Sequence, residues 1–363
     1  MKILLLSDLN SVHTKKWVAG LFAQGCHLAI FGLSKPTDDF YEQFDTVEIA
    51  YGNLTGAREK SCLSKVGYLK EVLNLKRLYN GFKPDIVHAH YASSYGLLGS
   101  FLRHSPYLIS VWGSDIFEFP KVSFFNRTLL KRNLSKATHL FSTSERMAEE
   151  TKLYTNKKVK VIPFGVDVSH FAPNKKRDSN KFVIGIIKTL ENNYAINDLI
   201  SAFSLLVQRH QTIDFELHIG GEGGQKEALK QQVVGLGLSH KVKFLGFIPP
   251  SQVPHYFNEM DIAVISSLAE SFGVSAVEAA ACELPVVATR VGGLPEVVID
   301  GKTGLLCEPQ NPTDLANKID TLIADDTLRR AYGRAGRAFV LTKYDWEKNV
   351  SKMVEQYSTI AGS

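Results

Sequence analysis

Two glutamates with seven residues between them, Glu270 and Glu278, flank the start of an alanine-rich run in the stretch Ser266-Ser267-Leu268-Ala269-Glu270-Ser271-Phe272-Gly273-Val274-Ser275-Ala276-Val277-Glu278-Ala279-Ala280-Ala281-Cys282. An apolar strand pattern over 262–265 runs into the loop that carries Glu270, and Phe272-Gly273 then opens a helix. The first amides of a helix have no intrahelical acceptor and carry the positive end of its dipole. Gly273, Val274 and Ser275 therefore form an anion site, and the glycine lets a phosphate approach the backbone. A diphosphate fits there. Glu278 lies about one turn past Val274, close enough for its carboxylate to accept two hydrogen bonds from a ribose diol. Glu270 can face whatever is attached to the far end of the diphosphate. Each also has a plainer reading, Glu270 as a carboxylate offsetting the helix dipole and Glu278 as a solvated helix position, and spacing alone leaves these open.

Other chemistry-bearing residues stand at the ends of strand patterns. Lys188 follows the apolar run 182–187, where by itself it reads as an exposed strand-end lysine. In Asp85-Ile86-Val87-His88-Ala89-His90, strand alternation puts His88 and His90 on one side. That invites a metal, but no third ligand stands at a suitable spacing. The acidic pairs Asp38-Asp39 and Asp325-Asp326 lie in polar stretches, so we read no divalent metal holding the diphosphate. In the loop after the first strand pattern, Asn10 and His13 are candidates for contact with a ligand, and Ser11 or Thr14 can cap the helix. Asp115 either faces a ligand at a strand end or caps a helix.

The elements that must position these groups alternate. Strand patterns at 2–6, 27–31, 85–89, 107–111, 139–142 and 158–162 are separated by helical ones. After the polar stretch 174–181 the alternation restarts at 182–187, 215–219, 242–245, 262–265, 285–288 and 304–307. Such βα alternation predicts an α/β fold with mostly parallel sheets covered on both faces. Length agrees, since 363 residues fit two domains at roughly 100–200 residues each. The expected division is a Rossmann-like domain over 1–173, a linker at 174–181, a second Rossmann-like domain over 182–342, and a terminal helix in 343–363 that packs back on the first. The two domains are expected to face each other across a cleft, with ligands at the C-terminal strand ends.

Around Glu270 and Glu278 the motifs continue with Pro285-Val286-Val287-Ala288-Thr289, Val291-Gly292-Gly293-Leu294-Pro295-Glu296 and Asp300-Gly301-Lys302-Thr303-Gly304. Upstream stand Pro163-Phe164-Gly165-Val166-Asp167, Gly221-Glu222-Gly223 and Val242-Lys243-Phe244-Leu245-Gly246-Phe247. This ordered series resembles retaining glycosyltransferases of family 4, which have the GT-B fold; it is dense over 182–324 and looser in the first half. The resemblance implies that Glu278 holds the ribose and Glu270 faces the donor sugar. It likewise puts the Gly273, Val274 and Ser275 amides on the diphosphate and Phe247 and Ile248 beside the nucleobase. It also implies that Lys188 neutralises the leaving diphosphate and that His90 approaches the donor sugar. The chain departs from the family where a second lysine is usual, in Glu191-Asn192-Asn193-Tyr194-Ala195. The implied reaction is metal-independent transfer of a sugar, with retention, from a nucleotide-diphosphate sugar to a hydroxyl of a glycan or lipid-linked acceptor. A UDP-sugar leads among donors, and no cofactor is implied. The alternatives are a sugar-nucleotide 2-epimerase and a catalytically impaired GT-B binding subunit.

Composition narrows the setting. At 44% hydrophobic and 22% charged residues the chain is globular, and no apolar run approaches the ~18–20 residues that cross a bilayer. Four scattered cysteines without a CxxC pair fit a reducing cytoplasm. The net charge of +5 is uneven: residues 1–180 carry +9 and residues 181–363 carry −4. Between Phe117 and Lys136, aromatics and cations intermix. They read either as buried rings under a solvated basic face or as a peripheral contact with an anionic membrane on its inner face. Two sheet domains without a recognition module argue against nucleic acid.

Overall fold

The computed structural model describes residues 1–53, 71–174 and 180–362. The chain forms two compact units, one of Met1–Pro163 with Glu347–Ser363 and one of Phe164–Trp346. Asn174 and Lys181 belong to the second unit, and residues 175–179 of the expected linker lie outside the described residues.

The first unit is built on a parallel sheet of seven described strands: β1 (Lys2–Leu6), β2 (His27–Gly32), β3 (Glu48–Tyr51), β4 (Ile86–His90), β5 (Tyr107–Val111), β6 (His139–Ser142) and β7 (Val159–Val161). Their order is β3-β2-β1-β4-β5-β6-β7. The central strands are almost wholly buried, as a parallel sheet covered by helices requires, and read as mainly apolar runs in the sequence, interrupted by His88, His90 and Ser110. The edge strand β3 pairs with β2 and is half-exposed. Only Ile49 and Ala50 in Glu48-Ile49-Ala50-Tyr51 are apolar without qualification, too short a signal to read as a strand.

The second unit holds β8 (Phe182–Ile187), β9 (Phe215–Gly220), β10 (Val242–Gly246), β11 (Ile262–Ile265), β12 (Val286–Thr289) and β13 (Gly304–Cys307), in the order β10-β9-β8-β11-β12-β13 and all parallel. On one face Phe215, Leu217 and Ile219 of β9 pack with Leu199, Phe203 and Leu206 of the helix Ile196–Arg209 and with Leu315, Ile319 and Leu322 of the helix Pro312–Ala324. The i, i+4 and i, i+3 spacing of those residues is what makes each helix amphipathic.

In both sheets the strand order reverses once, between β1 and β4 and between β8 and β11. A ligand crevice forms where the connections leave on opposite faces, at the C-terminal strand ends of such a switch point. Ser7 and His90 follow β1 and end β4; Lys188 and the 266–270 loop follow β8 and β11.

The terminal helix Trp346–Ala361 returns most of its length to the first unit. Its Tyr357 hydroxyl lies 2.6 Å from Nδ1 of His88, whose Nε2 lies 2.8 Å from the Ser110 hydroxyl. His88 is wholly buried, and with both nitrogens bonded it is a structural histidine. Burial pushes its pKa down to about 3. It is therefore neutral when folded, whereas the unfolded imidazole takes up a proton below about pH 6.5. Between those values the unfolded chain binds more protons, and stability falls by about 1.4 kcal/mol per pH unit as pH drops. The urea midpoint should fall between pH 7.5 and 5, and His88→Gln should lessen that fall; a flat midpoint would refute the assignment.

Candidate functional site

Lys188 emerges from β8 and Glu270 from the loop after β11, and Lys188 Nζ lies 2.7 Å from Glu270 Oε2. Their side chains are only 15% and 13% exposed, so water screens this pair less than a surface ion pair. Lys188 Nζ also stands 4.6 Å from the centroid of the Tyr194 ring, a cation–π contact on a second side.

Backbone packing sets both positions. Gly221, at φ +131°, leaves room for the Lys188 carbonyl; a Cβ there would come within 1.9 Å of that oxygen. Gly292, at φ +52°, does the same for Glu270, where a Cβ would lie 1.7 Å from the carbonyl oxygen. Gly293 N then donates to that oxygen at 2.9 Å. These glycines stand in the sequence as motif members, but which backbone each one accommodates is not visible in a motif.

The tight 3-10 turn Asn192–Tyr194 ends at Ala195, which adopts a left-handed conformation. The Ser266 hydroxyl donates to the Tyr194 carbonyl at 2.7 Å, and Leu268 N donates to the Asn193 carbonyl at 2.7 Å. The loops after β8 and β11 are thereby stitched together. Tyr194 is a neighbour of the lysine that sequence reasoning missed, because its ring takes position only through that turn.

The helix Val274–Ala281 begins beside this pair. Its N-cap, Gly273, has φ +102° and ψ +47°, and a Cβ there would meet Leu294 at 2.8 Å. Along the helix the first amides to donate are those of Ala276 and Val277, both to the Gly273 carbonyl. The Gly273, Val274 and Ser275 amides thus precede the ladder, as the sequence predicts. The Ser275 hydroxyl donates to the Ile187 carbonyl at 2.8 Å, fixing the helix start next to Lys188. Glu278 sits one turn in and is half-buried. After β10, Phe247 is 72% exposed whereas Ile248 is buried against Gly220. The Gly246 carbonyl between them and the strand accepts from Gly221 N at 2.7 Å, which joins this loop to the one clamping Lys188.

The first unit gathers its own cluster. His90 is buried, its Nδ1 lies 3.1 Å from the Ser7 hydroxyl, and Ser7 is 2.7 Å from the Thr14 hydroxyl. The imidazole stacks on Trp112 at 4.3 Å between centroids. Burial, reinforced by His88, holds its pKa well below the ordinary value, so it is neutral at physiological pH. Thr14 bonds Ser7, and Ser11 occupies the N-cap position without a side-chain capping bond. Asn10 is committed to its neighbours, donating to the Lys35 carbonyl and accepting from Thr37 N at 2.8 Å. Asp115 is buried and accepts from the amides of Ala92, Trp112 and Gly113. It shapes the loop after β5. Burial raises its pKa, opposed by those amides.

Among the described residues no group of three or more His, Cys, Asp or Glu is arranged to hold a metal ion, and no helix is long and apolar enough to cross a membrane.

The glycine clamp yields a contrast. Gly292→Ala places a Cβ inside backbone contact distance in addition to straining φ, and should lower stability by about 2–4 kcal/mol. Gly301, likewise at positive φ (+70°), meets nothing within 4 Å, and Gly301→Ala should cost about 1 kcal/mol. Chemical denaturation of the two variants tests the ordering; equal losses would mean that contact with Glu270 is not what requires glycine at 292.

Comparison with known proteins bears on this geometry. Residues 2–144 match the glycosyl transferase 4-like family and residues 167–339 match glycosyl transferases group 1. An uncharacterised glycosyltransferase of Methanocaldococcus jannaschii is 30% identical over 326 residues, covering 82% of this chain and 85% of that protein. A D-inositol 3-phosphate glycosyltransferase of Corynebacterium jeikeium is 29% identical, covering 77% and 73%. Anabaena HepE, solved with UDP, superposes with a TM-score of 0.82 at 22% identity, covering 99% of this chain and 100% of that one. HepE has also been solved with UDP-glucose. The chain therefore belongs to the glycosyl transferases group 1 family: it is a retaining family 4 glycosyltransferase of GT-B fold that uses a nucleotide-sugar donor.

Proposed function

We propose that this enzyme moves a hexose from a UDP-sugar to a hydroxyl of a glycan or lipid-linked acceptor, with retention and without a divalent metal. The observation that carries this reading is the Lys188–Glu270 pair, 2.7 Å apart beside the open helix start at Gly273. It puts a cation, a carboxylate and unladdered amides at one switch point. On this reading the Gly273, Val274 and Ser275 amides hold the diphosphate, Glu278 accepts from the ribose diol, and Phe247 and Ile248 flank the base. Glu270 accepts from sugar hydroxyls and Lys188 turns to the phosphate. His90 belongs to the first unit, and its assignment to the donor sugar is carried by family resemblance alone. HepE, which binds UDP and UDP-glucose, supports the choice of donor.

Retention follows without a covalent intermediate. The bond from the anomeric carbon to the diphosphate oxygen breaks, the acceptor oxygen bonds the same face of the sugar, and the acceptor's proton passes to the departing phosphate. Negative charge grows on the diphosphate in this step, so a preorganised cation and amides give their largest benefit there. Epimerisation would need acid and base groups on either side of a sugar carbon. A single carboxylate engaged with a lysine serves transfer better.

Two measurements test this. Glu278→Ala removes two charge-assisted hydrogen bonds and should weaken UDP binding by about 30-fold or more in calorimetry; unchanged affinity would displace the donor site. Lys188→Ala should lower kcat roughly 100- to 1,000-fold with a UDP-sugar donor. A variant that keeps the wild-type kcat would remove Lys188 from the chemistry.

A further inference from the structure

We propose that the outer face of the helix Phe124–Lys136 in the first unit is a docking surface for an anionic lipid bilayer. Residues 119–144 contain five Lys or Arg and no Asp or Glu. The helix is held by its inner face. Ser123 caps it by accepting from Asn126 N at 3.1 Å; Asn126 donates to the Phe119 carbonyl and Asn133 to the Ala92 and Ser93 carbonyls, while Leu130 and Leu134 are fully buried. With those residues turned inward, Phe124 and Phe125 point out, 78% and 71% exposed, and Val122 just before the cap is 52% exposed. The two rings touch each other at 6.3 Å between centroids.

Helical spacing sets Lys131 on the Phe124 side of this outer face and Lys136 on the Phe125 side, both exposed, while Arg127 stands over the Tyr154 ring and Arg132 donates to the Ser100 hydroxyl at 3.2 Å. Lys131 and Lys136 make no ion pair among the described residues. Glu150, across from Lys121 at 3.6 Å, is shared with Arg146 at 3.4 Å, so little negative charge offsets the face. Exposed rings at one end of a cationic helix face match a membrane interface, where aromatics settle among the headgroups and Lys and Arg meet anionic lipid. A solvated surface helix gains nothing from two adjacent exposed phenylalanines, and charge complementarity selects an anionic bilayer over a neutral one.

The test is flotation of the full chain with phosphatidylcholine vesicles, with and without phosphatidylglycerol, alongside single-stranded DNA and heparin as soluble polyanions. Binding should require phosphatidylglycerol and weaken with salt. Phe124→Ser with Phe125→Ser should lower it about tenfold, and Lys131→Gln with Lys136→Gln roughly 25-fold, at about fivefold per cation removed. Both pairs of substitutions lie on the surface and should leave the thermal midpoint and donor hydrolysis unchanged. Absence of binding to the anionic vesicles would overturn the proposal. So would binding that survives loss of both phenylalanines, which would mean unspecific charge attraction, or tighter binding to DNA than to vesicles.

Discussion

Lys188 and Glu270 are 82 residues apart in the chain and 2.7 Å apart in space, and much of the second unit's local structure follows from bringing them together. Parallel strand order alone does part of it. β8 and β11 are neighbours, and the chain leaves them in opposite directions along the sheet, so the loops after them meet at the switch point. The remaining precision comes from backbone. Gly221 and Gly292 each permit a carbonyl to approach where any side chain would overlap it, and the carbonyls in question are those of Lys188 and Glu270. The two residues to which we assign the chemistry are thus aimed by residues with no side chain at all.

The turn at Asn192–Tyr194 shows how one site accommodates a departure from its family. Without a second lysine there, the segment presents amide side chains and a tyrosine, and the tyrosine ring covers one side of Lys188. An aromatic face attracts a cation without neutralising it, whereas Glu270 does compensate its charge. When Glu270 turns to a sugar hydroxyl on the proposed reading, the ring keeps Lys188 in place while its charge is released toward phosphate. A lysine in that position would instead repel Lys188 and need the ligand to hold both.

The strands of both sheets were legible because a parallel sheet buried on both faces writes itself as mainly apolar runs, and 2–6, 107–111, 182–187, 262–265 and 304–307 agree to the residue with β1, β5, β8, β11 and β13. β3 was not legible, since an edge strand needs burial on only one side and its four residues carry little apolar pattern. The helix start at Gly273 could be read because glycine before an alanine-rich run has a physical meaning on its own. The partners of Asp115, Asn10 and Thr14 could not. A polar side chain near a helix start serves a cap, a loop or a ligand with the same letter, and only three-dimensional neighbours choose. Asp115 turned inward because three amides of the loop after β5 and of Ala92 needed an acceptor.

The uneven charge of the two halves gains a sharper meaning from these positions. Residues 181–363 carry a net −4, an unfavourable background for a diphosphate if net charge governed binding. It does not govern at short range. At physiological ionic strength exposed charges fade over about 8 Å, whereas partly buried groups at a helix start and a strand end are screened far less. Much of that half's negative charge is also engaged in local pairs, as Glu216 is with Lys181 at 2.9 Å and Lys243 at 2.8 Å, and Glu222 with Lys226 at 2.7 Å. A few oriented amides and Lys188 can therefore dominate the field at Gly273. The positive half works in the opposite way, because its cations on the Phe124–Lys136 helix are exposed and mostly unopposed. Charge of that kind acts on extended surfaces and not on a single buried phosphate.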